Sequence, residues 1–253
     1  MRNKEVLKEI VQAPVYFTKD LVKTTGYVLT APVRWDQTDW LLAGGTLSVT
    51  AGLILALDEN IKNSVQDERF EHGRDLFEEF EEFTKPWGTY LTLTGLWVGF
   101  GSAGILLKDD RAKRTSMEVL EAAAIQAGIV YGLKRIFGRA RPWKGEGPHD
   151  FDWFDSQRSF PSGHTAFIFS LASTVHAEYP VWWVGVLAYS FAGAIGVERI
   201  TENAHWASDV FFSAALGTAI GRATVAFHQR NLPVQPVPMA QSDLLGIALE
   251  YRF

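Results

Sequence analysis

The sequence predicts an all-α fold: a helical bundle of about six core helices, embedded in a membrane, with amphipathic N-terminal helices and an irregular C-terminal tail. Two observations carry that expectation. Apolar runs recur along the chain, and two of them, Trp40 to Leu57 and Pro86 to Leu107, hold no charge. Both are long enough to cross, or nearly cross, the roughly 30 Å hydrocarbon layer of a bilayer. The chain also carries nine Trp and seventeen Phe in 253 residues. Aromatics at that density suit a membrane interface, although a large soluble core uses them too. The mean hydropathy is close to zero, and the shorter apolar runs match buried helices of soluble bundles. A soluble bundle is therefore the alternative.

In chain order, residues 1–39 form an N-terminal segment with short amphipathic helices over Glu5 to Val11 and Asp20 to Leu29. The opening residues lack the apolar core of a signal peptide. Residues 40–228 form the main helical domain. Its first span is Trp40 to Leu57, and an acid-rich amphipathic stretch from Asp58 to Lys85 follows outside any membrane. The second span is Pro86 to Leu107. A basic loop, Lys108 to Arg114, leads into Thr115 to Leu133, whose first half carries Glu118 and Glu121. His164 to Ala177, Pro180 to Val197 and Val210 to Gly221 complete the set. With the N-terminus inside, the basic loop falls inside and the acidic stretch outside, as the positive-inside tendency expects. Residues 229–253 are a Pro-containing linker and tail. The last ten residues alternate, with Leu245, Ile247, Leu249, Tyr251 and Phe253 on one face of a strand.

Composition narrows the function. A net charge of −5 argues against a nucleic-acid partner. With no cysteine in the chain, disulfide and thiol chemistry are excluded. No His or carboxylate cluster has ligand spacing, so no metal site is expected.

Three polar stretches punctuate the apolar runs. In Gly196 to Asp209, GVERITENAHWASD, Arg199 precedes His205, and Asp209 follows that histidine by four residues. If His205 begins a helix, Asp209 lies one turn along on the same face. Its carboxylate can then take the Nδ1 proton and leave Nε2 as a nucleophile. Arg199 beside it is suited to clamp an anion. The alternative is an ordinary capped helix start. Lys134 to Pro142, KRIFGRARP, gathers four basic residues at the end of an apolar run. Phe160 to His164, FPSGH, opens a helix whose N–H groups suit a phosphate oxygen.

Lys134-x6-Arg141-Pro142, Pro161-Ser162-Gly163-His164 and Arg199-x5-His205-x3-Asp209 together resemble the tripartite signature of the type 2 phosphatidic acid phosphatase superfamily. That superfamily includes lipid phosphatases, bacterial acid phosphatases and vanadium haloperoxidases. One departure is Glu198, where the family often has Ser. The resemblance implies a phosphatase without metal or other cofactor, acting on a phosphorylated lipid or small phosphomonoester. It places His205 as nucleophile, Asp209 as its orienting partner and His164 as general acid. Lys134, Arg141, Ser162, Gly163 and Arg199 are the implied phosphate-binding residues. Arg135 and Arg139 match no motif position and are expected to be solvated or to touch lipid headgroups. Trp143, Phe151, Trp153 and Phe154 either form a lipid-facing lip over the site or pin a solvated loop. The implied location is a bacterial-type cell envelope, with membrane lipids around the bundle and the site on the periplasmic side. A soluble periplasmic acid phosphatase, a haloperoxidase and a non-catalytic lipid binder are the alternatives, and for location an association with the outer membrane.

Overall fold

The computed structural model describes residues 17–67, 90–154 and 158–230, and the backbone of 234–241 and 244–251. The expected helix over Glu5 to Val11, most of the acidic stretch and the start of the second span lie outside the described residues. Helix α1 runs from 17 to 29. Next come α2 (Gln37–Gln66), α3 (Thr92–Leu106), α4 (Asp110–Phe137), α5 (Gly163–Glu178), α6 (Trp182–Thr201) and α7 (Ala207–Gln229). Among the described residues, α2 to α7 correspond to the expected core helices.

Local chemistry sets the helix ends. Asp36 caps α2 by accepting from Asp39 N at 2.9 Å, and the Asp39 carboxylate accepts from Asp36 N in return, a reciprocal arrangement that satisfies two end N–H groups. Asp109 caps α4 through Arg111 N and Ala112 N. Gly138 ends α4 at φ 53°, and a Cβ there would lie 1.7 Å from Asp152 O. Only glycine meets both demands.

Helix α2 is longer than the expected first span. It passes through a π-helical turn at Leu53–Leu57 and continues without a break over Asp58–Gln66, the start of the stretch expected as a separate amphipathic helix. The reason is tertiary: Asp58 is 1% exposed and is held by groups from two distant segments.

Helix α5 sits at the centre. Its Leu171 packs with Val119 and Ala123 of α4, and its Ile168 and Ala172 pack with Ala192 and Ile195 of α6. Against α7 the packing is closest. A Cβ at Gly217 would meet Ala166 O at 2.2 Å, and one at Gly221 would meet Ser173 Oγ at 2.1 Å. With Ser213, these form a small-xxx-small stripe that lets two backbones touch. Val28 of α1 packs on Ile125 and Ile220.

Glu118 and Glu121 of α4 are buried, and α5 adds the buried Glu178 nearby. Glu121 accepts from Thr24 at 2.9 Å and pairs with His228 at 2.8 Å. Glu178 accepts from Arg114 at 2.8 Å, Arg111 at 3.3 Å and Gln229 at 3.3 Å. This network ties the N-terminal half of α4 to the C-terminal ends of α5 and α7.

Helices α2, α6 and α7 are each long and apolar enough to cross a membrane. Leu41, Leu42, Leu55, Trp182, Val186 and Leu187 are exposed on α2 and α6, as are Ile105 and Leu106 on α3. Apolar surface on that scale belongs in lipid, and the chain is a helical membrane protein. The C-terminal tail corrects one expectation. It is a hairpin, β1 (Val234–Gln241) antiparallel to β2 (Leu244–Tyr251), with Pro236 opposite Leu249 and Pro238 opposite Ile247. The two prolines alternate, so their missing N–H groups fall on one side of β1 and leave the other free to pair.

Candidate active site

All three polar stretches meet at one end of the bundle. Lys134 is near the C-terminal end of α4, and Arg141 follows in the α4–α5 loop. Ser162, Gly163 and His164 open α5, Arg199 lies near the end of α6, and Asp209 stands in the first turn of α7. Antiparallel helices α4, α5, α6 and α7 bring these ends together, over distances the sequence separates by as many as 75 positions.

His205 differs from expectation in one respect. It does not begin α7 but lies two residues before it, with its N–H donating to Arg199 O at 3.1 Å. Asp209 turns back toward it: Oδ2 accepts from Trp206 N at 3.0 Å and stands 3.5 Å from His205 Nδ1. At that separation Nδ1 makes no hydrogen bond, a looseness common in unliganded catalytic pairs. Oδ2 also accepts from Ser159 Oγ at 2.5 Å.

His205 is 3% exposed. Burial pushes its imidazole down to about 4; Asp209 opposes that shift, while Lys134 and Arg141 reinforce it. The ring is therefore neutral at ordinary pH, the state that the expected role of His205 as nucleophile requires. Burial likewise lowers Arg141, with Asp209 pulling the other way and Arg199 adding to the lowering.

The cations stand around this pair. Lys134 Nζ donates to Arg158 O at 2.5 Å and Ser159 O at 3.3 Å, and Gly163 lies beside its stem. Arg199 pairs with Glu198 at 2.7 Å and Glu202 at 2.9 Å, while its Nε is buried without a hydrogen-bond partner. The residue where the family often has Ser is thus a buried carboxylate holding the adjacent arginine. Ser162 Oγ accepts from Thr165 Oγ1 at 3.0 Å, which leaves its own proton to donate. His164 is exposed on the first turn of α5.

Arg139 is the residue the sequence reading misplaced. It is neither solvated nor at a headgroup but fully buried. Its Nη1 donates to Asp209 Oδ1 at 2.6 Å and Ser208 Oγ at 2.7 Å. Its Nη2 donates to Asp58 Oδ2 at 2.8 Å and Pro148 O at 2.6 Å. Asp58 also accepts from Ser208 N at 2.9 Å. Arg135, by contrast, is exposed as expected. In the α4–α5 loop, Trp143, Trp153 and Phe154 are exposed, and Trp153 also touches Phe137 and Phe151.

A lipid A 1-phosphatase of Porphyromonas gingivalis is 40% identical over 100 residues, which are 39% of this chain and 20% of that protein. The chain thus spans about a fifth of that relative's length. A lipid A 1-phosphatase of Rhizobium johnstonii is 27% identical over 203 residues, 74% of this chain and 78% of that one. The crystal structure of a transmembrane PAP2-type phosphatidylglycerolphosphate phosphatase from Bacillus subtilis superposes with a TM-score of 0.56 at 20% identity, covering 76% of this chain and 96% of that one. The PAP2 superfamily model matches residues 115–233, the span that holds all three motifs.

Proposed function

We propose that this protein is a membrane phosphatase that removes a terminal phosphate from a lipid through a phosphohistidine at His205. The observation that carries the reading is the neutral, buried His205 set against Asp209, with Lys134, Arg141 and Arg199 gathered at the same end of the bundle. His205 Nε2 attacks phosphorus, forming a P–N bond as the P–O bond to the lipid breaks. His164 gives its proton to the departing oxygen. Water then attacks phosphorus, passing a proton to His164, and the P–N bond breaks to release phosphate. Asp209 takes up the Nδ1 proton's charge as it develops. Lys134, Arg141, Arg199, the Ser162 hydroxyl and the Gly163 N–H surround the phosphoryl oxygens. Phosphoryl transfer needs chiefly such charge stabilisation and positioning.

Two observations favour a lipid substrate: the apolar outer surface of the bundle, and the exposed Trp143, Trp153 and Phe154 in the loop beside the site. Since two relatives carry the name lipid A 1-phosphatase, the 1-phosphate of lipid A is the substrate we propose. The site faces the periplasm in this reading, because Lys108, Arg111, Lys113 and Arg114 lie at the opposite end of α4 from Lys134. The test is phosphate release in detergent from lipid A, phosphatidic acid, phosphatidylglycerophosphate and p-nitrophenyl phosphate. Lipid A 1-phosphate is expected to give the highest kcat/KM, with activity intact in EDTA and absent in His205→Ala. Equal or better turnover of the soluble ester would favour the acid-phosphatase alternative.

A further inference from the structure

Arg139 and Asp58 belong to none of the three motifs, yet both are buried at the catalytic carboxylate. A fully buried guanidinium between two carboxylates is costly to desolvate, so its placement asks for a reason. The geometry supplies one. Asp209 has two oxygens with separate tasks: Oδ2 faces His205 and the Trp206 N–H, and Oδ1 is occupied by Arg139. If Arg139 were balanced by Asp209 alone, that carboxylate would be largely neutralised and a poor partner for a histidine that must gain positive charge. Asp58 takes the other guanidinium nitrogen at 2.8 Å, and Ser208 bridges it to Arg139 from below, donating to Asp58 Oδ2 at 2.5 Å while accepting from Arg139. The π-helical turn at Leu53–Leu57 directly precedes Asp58 in α2, and such turns are frequent at functional sites.

We infer that Asp58 and Arg139 are a positioning couple for the nucleophile. Arg139 fixes the rotamer of Asp209 so that Oδ2 points at His205, and Asp58 balances the arginine's charge so that Asp209 keeps its full pull on the imidazole. The first membrane helix is thereby part of the catalytic apparatus. This inference rests on the phosphohistidine reading above and adds to it two residues that do not touch substrate.

Opposite charges predict opposite shifts, which a purely structural role would not produce. Removing the arginine's charge in Arg139→Gln raises the basicity of His205 and moves the acid limb of kcat/KM upward by roughly one pH unit. Removing the carboxylate's charge in Asp58→Asn exposes Asp209 and His205 to an unbalanced cation, moving the limb downward and lowering kcat about tenfold or more. The double variant should return the limb toward wild type. The remaining charges near the site, Lys134 from α4, Arg141 from the loop, His164 from α5 and Arg199 from α6, are the same in every variant.

The experiment is the pH profile of phosphate release for the four proteins, each normalised to folded protein by size exclusion and melting in detergent. Limbs that shift in opposite directions and cancel in the double variant support the couple. Limbs that coincide while kcat per folded molecule is unchanged overturn it. Should Arg139→Gln fail to fold, Asp58→Asn decides alone: an isosteric change that leaves kcat within twofold refutes the inference. Absence of turnover by the wild-type protein on every phosphate ester would instead refute the phosphatase reading, which separates the two failures.

Discussion

Consider Gly217→Ala, at the closest approach of α5 and α7. The added methyl would sit 2.2 Å from Ala166 O, 3.0 Å from Ala166 C and 3.0 Å from Ser170 N. All three are backbone atoms of a packed helix, so no side chain can swing aside. Ordinary contact begins near 3.4 Å, so α5 and α7 must part by about 1 Å. Overpacking of this kind costs about 1–3 kcal/mol, partly offset by alanine's better helix propensity of up to about 1 kcal/mol. The catalytic effect is expected to exceed the stability effect, because α5 carries His164 on its first turn and α7 carries Asp209 on its own. A misplacement of about 1 Å can cost on the order of a hundredfold in rate. Thermal melting in detergent and kcat per folded molecule measure the two effects. Gly193→Ala on α6 is the control, since a Cβ there meets nothing within 4 Å. It should melt at or slightly above wild type with unchanged activity. If Gly217→Ala behaves like that control, the close α5–α7 seam is not what aligns the site.

Because burial holds His205 near 4 in the folded protein, the neutral nucleophile is present above that pH. The acid limb of kcat/KM is expected near pH 4, and a limb near 6.5 would mean an exposed imidazole. The same depressed value costs stability in acid: the unfolded chain binds this proton below about 6.5, so His205's contribution to stability falls from there to about pH 4 and is constant below. Glu178→Ala strips the partner from Arg111 and Arg114 at the far end of the bundle; because both arginines are partly exposed, it should destabilise by about 1–3 kcal/mol, with kcat per folded molecule unchanged. Trp153→Ser in the exposed loop should raise KM for a lipid ester by severalfold and leave p-nitrophenyl phosphate untouched; equal effects on both would remove that ring from lipid recognition.

Much of this site was legible in the sequence because each motif brings its donors on a short local stretch. The Pro-Ser-Gly turn opens α5, and His205 and Asp209 are four residues apart, so local spacing alone juxtaposes them. The helix count was legible for a similar reason: lipid-facing helices such as α2 and α6 are apolar on nearly every side. What escaped was tertiary. Arg139 reads as one more charge in a basic cluster, and only the fold buries it between Asp58 and Asp209, which lie 81 and 70 residues away. Asp58 looks like the end of a membrane span because a carboxylate after an apolar run ordinarily marks water. Its partners on α7 and in the α4–α5 loop let α2 continue past it. Glu121 interrupts the periodicity of α4 for the same reason, since its partners come from α1 and α7, whereas Glu118 pairs with Arg114 on the preceding turn of α4. The tail was half legible: the alternation of Leu245 to Phe253 indicated a strand, whereas its proline-containing partner did not.

The most direct test of the account is to trap the intermediate. Lipid A labelled at its 1-phosphate with ³²P would be mixed with enzyme and quenched in alkali within one turnover. The account predicts a phosphoprotein that is stable in base and labile in acid, with the label on the peptide containing His205 and none in His205→Ala. A label that survives acid, or one that persists undiminished in His205→Ala, would contradict it.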